Sequence, residues 1–188
     1  MNGRKIHETG SAYASPWTTR ERIGMLLWNT AWGLLCAWTP KPLNPWRLGI
    51  ARCFGAKLSG MPFLHPKARI AVPWRLTMGD RACLGDGANA YTLGEIVIEE
   101  RATVAQEAFL CTGTHDFSSG TLPLVTAPIR IGAGAFVGAR AFVLPGVTVG
   151  AGAVIGACAM VTKDVPPGAT AAGNPARILK TAKTSPDA

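Results

Sequence analysis

Histidine, acidic side chains and closely spaced cysteines are all scarce in this chain. The shortage of histidine in particular excludes one class of metal site. The 188 residues include three histidines and 11 acidic side chains, and no Cys-x-x-Cys motif occurs. A catalytic zinc centre usually takes three protein ligands. Two of the histidines, His7 and His65, lie outside the repeat described below. We therefore expect no metal site, and in particular no zinc centre built from three imidazoles.

The five cysteines are widely and irregularly spaced, which is typical of reduced thiols in a cytoplasmic protein. No apolar stretch follows the first basic residues, so no signal peptide is evident. The longest apolar run, residues 25–38, has about 14 residues, whereas a helix that spans a membrane needs about 20. We therefore expect a cytoplasmic location, either free in the cytoplasm or at the inner face of the membrane.

Positive charge is concentrated in the first part of the chain. Residues 1–75 hold 11 Lys and Arg against two Glu, whereas residues 76–188 hold eight basic and nine acidic side chains. A basic segment of this kind indicates an anionic partner. A lipid surface, a phosphate-bearing substrate and a nucleic acid all fit that description.

Glycine and proline are plentiful, and the glycines belong to a six-residue repeat between residues 131 and 165. A helix would scatter positions six apart over three sides, whereas a strand keeps them on one face because six is even. Short strands broken by turns can close triangular coils that stack about 4.8 Å apart. The repeat therefore predicts a β-helix filled by one apolar column, which consists of Ile131, Val137, Val143, Val149, Ile155 and Val161.

Weaker copies of the repeat extend upstream and divide the chain into three parts. We expect a basic, Trp-rich segment over residues 1–67, a β-helix over 68–168 and an extension over 169–188. The pattern is missing from residues 116–128, which predicts a loop that protrudes from the coils. Residues 20–38 read as a helix that ends before three prolines, and a short helix is expected near residues 176–182.

His115 stands where that loop leaves the coils, a position that suits a general base. Asp116, the next residue, could orient the imidazole or contact a substrate hydroxyl. Each of the two residues could instead have only a structural role, His115 as a surface or capping residue and Asp116 as a turn former. Thr162 and Lys163, with Arg177 nearby, could bind phosphates or could form a solvated cap on the last coil. The helix at 20–38, with its tryptophans and the cations around residues 20–47, fits either a membrane interface or packing on the prism or a neighbouring subunit.

Several motifs together resemble those of the hexapeptide-repeat acyltransferases, in the branch of the colanic-acid-biosynthesis acetyltransferases. The resemblance covers roughly residues 68–180, and the basic start is also similar. It implies a mainly β protein with a left-handed parallel β-helix that works as a homotrimer. Such enzymes move an acetyl group from acetyl-CoA to a sugar hydroxyl, and no nucleic acid partner is implied. The motifs are PWRLGIARCFGAKL (45–58), PWRLTMGDRACLGDGANAY (73–91), CTGTHDF (111–117), GVTVGAGAVIGACAMVTKDVPPG (146–168) and AAGNPARILK (171–180).

The resemblance also assigns roles to individual residues. His115 matches the catalytic base, which would act directly on the acceptor hydroxyl with no acyl-enzyme and no metal. The acceptor, a sugar or a lipid-linked sugar of exopolysaccharide synthesis, would contact Asn89, Asp116 and Phe136. The alternatives are N-acetylation of an amino sugar and a non-catalytic scaffold. The residues that match the acetyl-CoA site, which is expected between subunits, are Gly138, Ala139, Ala157, Thr162, Lys163 and Arg177.

Overall fold

The computed structural model describes residues 3–7, 15–118 and 120–181, and most of them lie in stacked coils of very short parallel strands. Two helices precede the coils, α1 (Thr19–Leu35) and α2 (Asn44–Cys53). The strands in chain order are β1 (Lys5–His7), β2 (Lys57–Leu58), β3 (Phe63–Leu64), β4 (Arg69–Ile70), β5 (Leu76–Met78), β6 (Cys83–Leu84), β7 (Asn89–Tyr91), β8 (Ile96–Ile98), β9 (Thr103–Val104), β10 (Phe109–Cys111), β11 (Gly113–His115), β12 (Leu124–Thr126), β13 (Ile129–Ile131), β14 (Phe136–Val137), β15 (Phe142–Val143), β16 (Thr148–Val149), β17 (Val154–Ile155), β18 (Met160–Val161), β19 (Thr170–Ala172) and β20 (Arg177–Lys180).

Three sheets form the sides of a prism with about six turns. Face 1 contains β2, β5, β8, β13 and β16, and face 3 contains β4, β7, β10, β15 and β18. Face 2 contains β3, β6, β9, β14, β17 and β19, with β20 added at its end. The chain visits the faces in the order 1, 2, 3. We call the corner between faces 3 and 1 the loop edge, and the corner between faces 2 and 3 the alanine edge.

The predicted apolar column fills the prism. All six members of the 131–161 series are buried, with exposed fractions of at most 1%. Register explains the alignment, because Val137 pairs with Val104 below and Ile155 above, so equivalent residues of successive coils lie directly over one another. The mainly β fold predicted from the six-residue period is therefore confirmed.

The coils begin at β2, upstream of residue 68, and α2 closes the open end of the first coil. Leu48 and Ala51 of this helix are fully buried in the core of the prism. The sequence pattern did not predict this helix. Its helix is short and carries Pro45 in its first turn, so tertiary packing supports it more than propensity does.

The predicted helix near the amino terminus is α1, which begins with a capping box between Thr18 and Glu21. No helix in the described part of the chain is long and apolar enough to cross a membrane. The prediction of a short helix near residues 176–182 is wrong. Residues 177–180 form β20, which runs antiparallel to β19 and covers the end of face 2. A helix of one or two turns is marginal alone, whereas the strand pairs backbone groups that would otherwise stay open at a sheet edge.

The segment predicted as a protruding loop leaves the loop edge as a hairpin. Strand β11 pairs antiparallel with β12, and β1, from the start of the chain, pairs with the other side of β12. Residues 113–126 therefore belong to a small three-stranded sheet beside the prism, with Ser119 outside the described residues. Residues 127–128 then return the chain to face 1.

Candidate active site

His115 is the last residue of β11, and its ring is exposed on the hairpin. The Nδ1 atom lies 2.8 Å from the carbonyl oxygen of Leu122, across the turn of the same hairpin. A carbonyl oxygen can only accept, so Nδ1 carries the proton and donates it. This tautomer leaves a lone pair on Nε2, which is the form of imidazole that can take a proton from an acceptor hydroxyl.

Asp116 is held by its own turn. Its Oδ1 atom accepts hydrogen bonds from the Ser118 backbone N–H at 2.9 Å and from the Ser118 hydroxyl at 2.6 Å. These two bonds hold the pKa of Asp116 below its usual value, so the side chain is a carboxylate at neutral pH. The contacts are those of a turn-forming aspartate, and they shape the loop that carries the Leu122 carbonyl.

The fold brings together Thr162, Lys163 and Arg177, although the last two are 14 positions apart in the sequence. They line one cleft of about 420 Å³ at the end of the prism, between the turn after β18 and strand β20. Asp164 also lines the cleft, but its Oδ1 atom accepts the backbone N–H of Thr148 at 2.7 Å. The exposed cations therefore give this cleft a positive side on which phosphate groups can bind.

The imidazole and this cleft lie on the same edge of the prism. Both the hairpin that carries His115 and the turn containing Thr162 and Lys163 follow strands of face 3, namely β10 and β18. Strand β15 lies between those two strands, so the hairpin and the turn are two coils apart, about 10 Å along the axis. An extended molecule along the loop edge can therefore reach both.

The residues matched to the pantetheine arm lie on the other side of face 3. Gly138, Ala139 and Ala157 all occupy the alanine edge, and the Cys158 N–H donates to the Ala139 carbonyl at 2.9 Å to stack the two turns. Gly138 is also required by the stacking itself, because a Cβ there would lie 2.6 Å from the carbonyl oxygen of Ile155. Within one chain, these residues and His115 therefore lie on different edges of the prism. A site that uses both edges needs two copies of the chain.

The residues matched to the acceptor are not brought together by one chain. Asn89 lies on β7 of face 3, where it lines a shallow cleft beside Trp28, Trp32 and Tyr91. Phe136 lies on β14 of face 2, with 42% of its surface exposed. Asp116 alone is next to His115. In the described part of the chain, no group of three or more His, Cys, Asp or Glu side chains is arranged to hold a metal ion.

Two features that position His115 have no signal in the sequence. One is the Leu122 carbonyl, a backbone atom that any residue would supply. The other is β1, a strand of three residues whose partner lies more than 110 positions away, with His7 Nε2 3.1 Å from the Thr126 hydroxyl. The His115–Leu122 contact and the pairing of β1 with β12 can be recognised only in the three-dimensional structure.

A parallel β-helix with an exposed imidazole and a cationic cleft on one edge fits an acyl-CoA-dependent transferase, and comparisons with known proteins show that class. Residues 128–163 match the family description "Bacterial transferase hexapeptide (six repeats)". The putative colanic acid biosynthesis acetyltransferase WcaF of Escherichia coli (strain K12) is 40% identical over 158 residues, which are 84% of this chain and 87% of that protein. The chain belongs to the hexapeptide-repeat acetyltransferases and is an enzyme of that family.

Solved structures show the same fold. An acetyltransferase of Vibrio cholerae O1 biovar eltor, complexed with acetyl coenzyme A, superimposes with a TM-score of 0.82 at 20% identity and covers 91% of this chain and 93% of its own. A galactoside acetyltransferase in complex with coenzyme A gives 0.80 at 22% identity, over 88% of this chain and 84% of its own. The prism is thus a left-handed parallel β-helix of the hexapeptide-repeat type.

Proposed function

We propose that the protein transfers the acetyl group of acetyl-CoA to a hydroxyl of a sugar, in the synthesis of an exopolysaccharide or another glycoconjugate. The observation that carries this proposal is the pairing of His115 Nδ1 with the Leu122 carbonyl, which leaves Nε2 as a base on the edge that also holds the cationic cleft. The names of the relatives, which are acetyltransferases of colanic acid synthesis and of galactosides, support a sugar acceptor.

The reaction would be a direct transfer. Nε2 of His115 takes the proton of the acceptor hydroxyl while its oxygen attacks the thioester carbonyl, and backbone N–H groups meet the developing oxyanion. When the tetrahedral intermediate collapses, the C–S bond breaks and the thiolate of CoA takes the proton from the imidazolium. Leu122 keeps Nδ1 protonated throughout, because its carbonyl stabilises the ring in both charge states.

Three of the five cysteines are poorly suited to form an acyl-enzyme, which favours direct transfer. Burial raises the pKa of the Cys36 thiol to about 11 and also raises the pKa values of Cys83 and Cys111. A raised pKa keeps each thiol protonated at neutral pH, and the thiol is a poor nucleophile. All five cysteines are free. Free thiols and the use of acetyl-CoA, a metabolite of the cell interior, both support a cytoplasmic location.

Acetyl-CoA fits the residues of the two edges when they come from different subunits. Thr162, Lys163 and Arg177 would hold the phosphoadenosine end, since the cleft offers two cations and a hydroxyl to phosphate oxygens. The small surface of the alanine edge, at Gly138, Ala139 and Ala157, would let the pantetheine arm approach the backbone. Because these edges are on opposite sides of face 3, we propose a homotrimer in which each site lies between neighbours.

The acceptor would lie near the hairpin, against Asp116 and the neighbouring subunit. Asn89, on face 3, and Phe136, on face 2, are the other acceptor contacts that we propose. Acetylation of an amino sugar at nitrogen would use the same base, so the acceptor screen described next includes both kinds of sugar.

The experiment measures thiol release from acetyl-CoA with purified protein and a panel of neutral sugars, amino sugars and exopolysaccharide fragments. We expect the His115→Ala variant to lose at least about a hundredfold in kcat, since a general base contributes roughly that factor or more. His65→Gln, a change at a histidine of the first coil, is the matched control and should keep full activity. Undiminished turnover by His115→Ala would contradict the mechanism. If all acetylated products carry the acetyl group on nitrogen, the acceptor is an amine and the proposed hydroxyl acceptor is wrong.

A further inference from the structure

The outer side of α1 is an apolar surface with no cover in the described structure. The inner side packs on the prism: Trp28 is 1% exposed and donates to the Ile70 carbonyl, and Gly24 lies against the ring of Trp74. The outer side of α1, the turn that follows it and Trp46 of α2 form what we call the tryptophan patch. Its members, each between 42% and 71% exposed, are Ile23, Leu26, Leu27, Leu34, Leu35, Trp38, Leu43 and Trp46.

The tryptophan patch is unlike the outer side of an ordinary surface helix. Residues 23–40 contain no charged side chain, whereas a helix that packs on a core by one face usually turns a charged face to water. Leu26, Leu34 and Trp38 each leave about two thirds of their surface exposed. A contiguous apolar surface of this kind marks a site of interaction rather than a solvated face.

The two exposed tryptophans have their polar atoms already paired. The indole N–H of Trp38 donates to the Leu34 carbonyl at 2.7 Å, and that of Trp46 donates to the Leu35 carbonyl at 2.9 Å. Both carbonyls belong to the last turn of α1, where backbone acceptors lack partners within the helix. The contacts therefore remove two donors and two acceptors from the surface at once. This arrangement suits an apolar medium that offers no hydrogen bonds in return.

Positive charge borders the patch at both ends. Arg20 and Arg22 are exposed before the apolar part of α1, and Lys41 is exposed after it. Between residues 15 and 75 the only acidic side chain is Glu21, and it is occupied by an ion pair with Arg75 at 2.9 Å. A surface that attracts this rim must be negatively charged.

Acidic groups on the adjoining coils do not neutralise the rim, because they are engaged by other partners. Asp80 accepts the Met61 N–H at 2.9 Å and pairs with Arg81, while Asp86 lies 3.3 Å from His65 Nδ1. The rim therefore keeps its net positive charge.

We propose that the tryptophan patch docks on the surface of a lipid bilayer that contains anionic lipids, with α1 lying in the interface. Apolar side chains would enter the boundary between headgroups and acyl chains, and the three cations would contact headgroup phosphates. A second copy of this chain fits less well, because a patch paired with itself would bring the two basic rims together. The proposal does not depend on the acetyl transfer reaction.

The test is co-sedimentation of the purified full chain with vesicles of phosphatidylcholine alone, or of phosphatidylcholine with one third phosphatidylglycerol. We expect binding to the mixed vesicles, and on the order of tenfold weaker binding for Leu34→Glu, since one large apolar side chain would then leave the interface. Leu179→Glu is the matched control, because Leu179 on β20 is 68% exposed and Leu34 is 69% exposed. Equal binding of the two variants would overturn the proposal.

A second pair of measurements tests the charge and the competing occupant. Arg22→Gln and Lys41→Gln should each weaken binding to the mixed vesicles about fivefold, and added salt should weaken it further. Equal recovery with both kinds of vesicle would overturn the anionic requirement. Sedimentation velocity and circular dichroism accompany each variant. If Leu34→Glu stays folded, lowers the oligomer mass and leaves vesicle binding unchanged, the patch is an interface between copies and the proposal is wrong.

Discussion

His7 and His115 face the same residue from opposite sides, because the strand register pairs each of them with Leu124. Strand β1 is therefore the outer neighbour of the hairpin that carries the proposed base. Its pairing restrains β12, and β12 restrains β11 in turn. A strand from the start of the chain thus holds a side chain that lies more than 100 residues further on.

Deletion of residues 1–7 should lower kcat with little effect on the KM for acetyl-CoA. Without β1 the hairpin is restrained on one side only, and a displaced base costs at least about tenfold in rate. Steady-state kinetics give both constants, and hydrogen exchange at residues 113–115 reports the loosened hairpin. Unchanged kcat together with unchanged exchange would show that β1 does not position His115.

Lys163→Gln and Arg177→Gln should each raise the KM for acetyl-CoA about tenfold and leave kcat nearly unchanged. The two cations line the same cleft, and a lost charge-assisted hydrogen bond to phosphate is worth about 1.5 kcal/mol. Acetyl-dephospho-CoA is the control, because the variants and the parent should use it almost equally. If the KM of both substrates rises alike, the cleft does not bind the terminal phosphate.

Arg47→Met should destabilise the junction between α2 and the first coil by about 3 kcal/mol. The guanidinium is fully buried and donates to the carbonyls of Leu64, Pro40 and Lys41 and to the Thr39 hydroxyl. Methionine would leave these acceptors without a donor. Thermal unfolding should shift by about 10 °C for a chain of this size.

Arg52→Met is the control for that experiment. Arg52 is on the same helix and donates to the carbonyls of Leu58 and Gly60, but it is exposed, so water can replace its bonds. We expect its midpoint to change by no more than about 3 °C. Equal shifts for the two variants would refute the argument from burial.

Gly138→Ala should destabilise the β-helix by about 1–3 kcal/mol, since its Cβ would collide with the Ile155 carbonyl of the next coil. Gly33→Ala, in α1, should stabilise the protein by about 0.5–1 kcal/mol, because nothing lies within 4 Å of the added Cβ and alanine favours a helix. Denaturant titration measures both changes. If Gly138→Ala leaves the free energy of unfolding unchanged, the two coils can move apart at this position without loss of stability.

Stability should fall as the pH is lowered below about 6.5, and two histidines would contribute to the loss. Burial is the main cause that lowers the pKa values of His7 and His65 in the folded protein. The unfolded chain therefore binds protons first as the pH falls, and the loss continues down to the folded pKa values. Thermal midpoints measured between about pH 7.5 and 5 should fall less for the His7→Gln, His65→Gln double variant than for the parent. An identical slope would contradict the burial effect.

Sequence reasoning succeeded where structure repeats at short range. The six-residue period predicted the coils, because each turn of the prism buries the same position again, and Val137 and Ile155 occupy equivalent sites in adjacent coils. The break at residues 116–128 marked the hairpin, although its first strand begins earlier, at Gly113. Reasoning failed at α2 and β20, two short elements whose stability comes from the ends of the prism that they cover. A local pattern contains no information about an end that exists only after the coils have stacked.

The amino-acid sequence alone predicted the β-helix and its apolar column, because a period of six keeps the repeated positions on one side of every strand. The break in that period pointed to His115 as the candidate base. The tertiary structure decided which ring nitrogen of His115 carries the proton and how the proposed site residues are divided between two edges. Leu122 selects the protonated nitrogen of His115 through a backbone atom, and the two edges of face 3 separate His115 from Ala139 and Ala157. The first fact depends on the path of the hairpin turn and the second on the stacking of the coils, and no spacing along the chain expresses either.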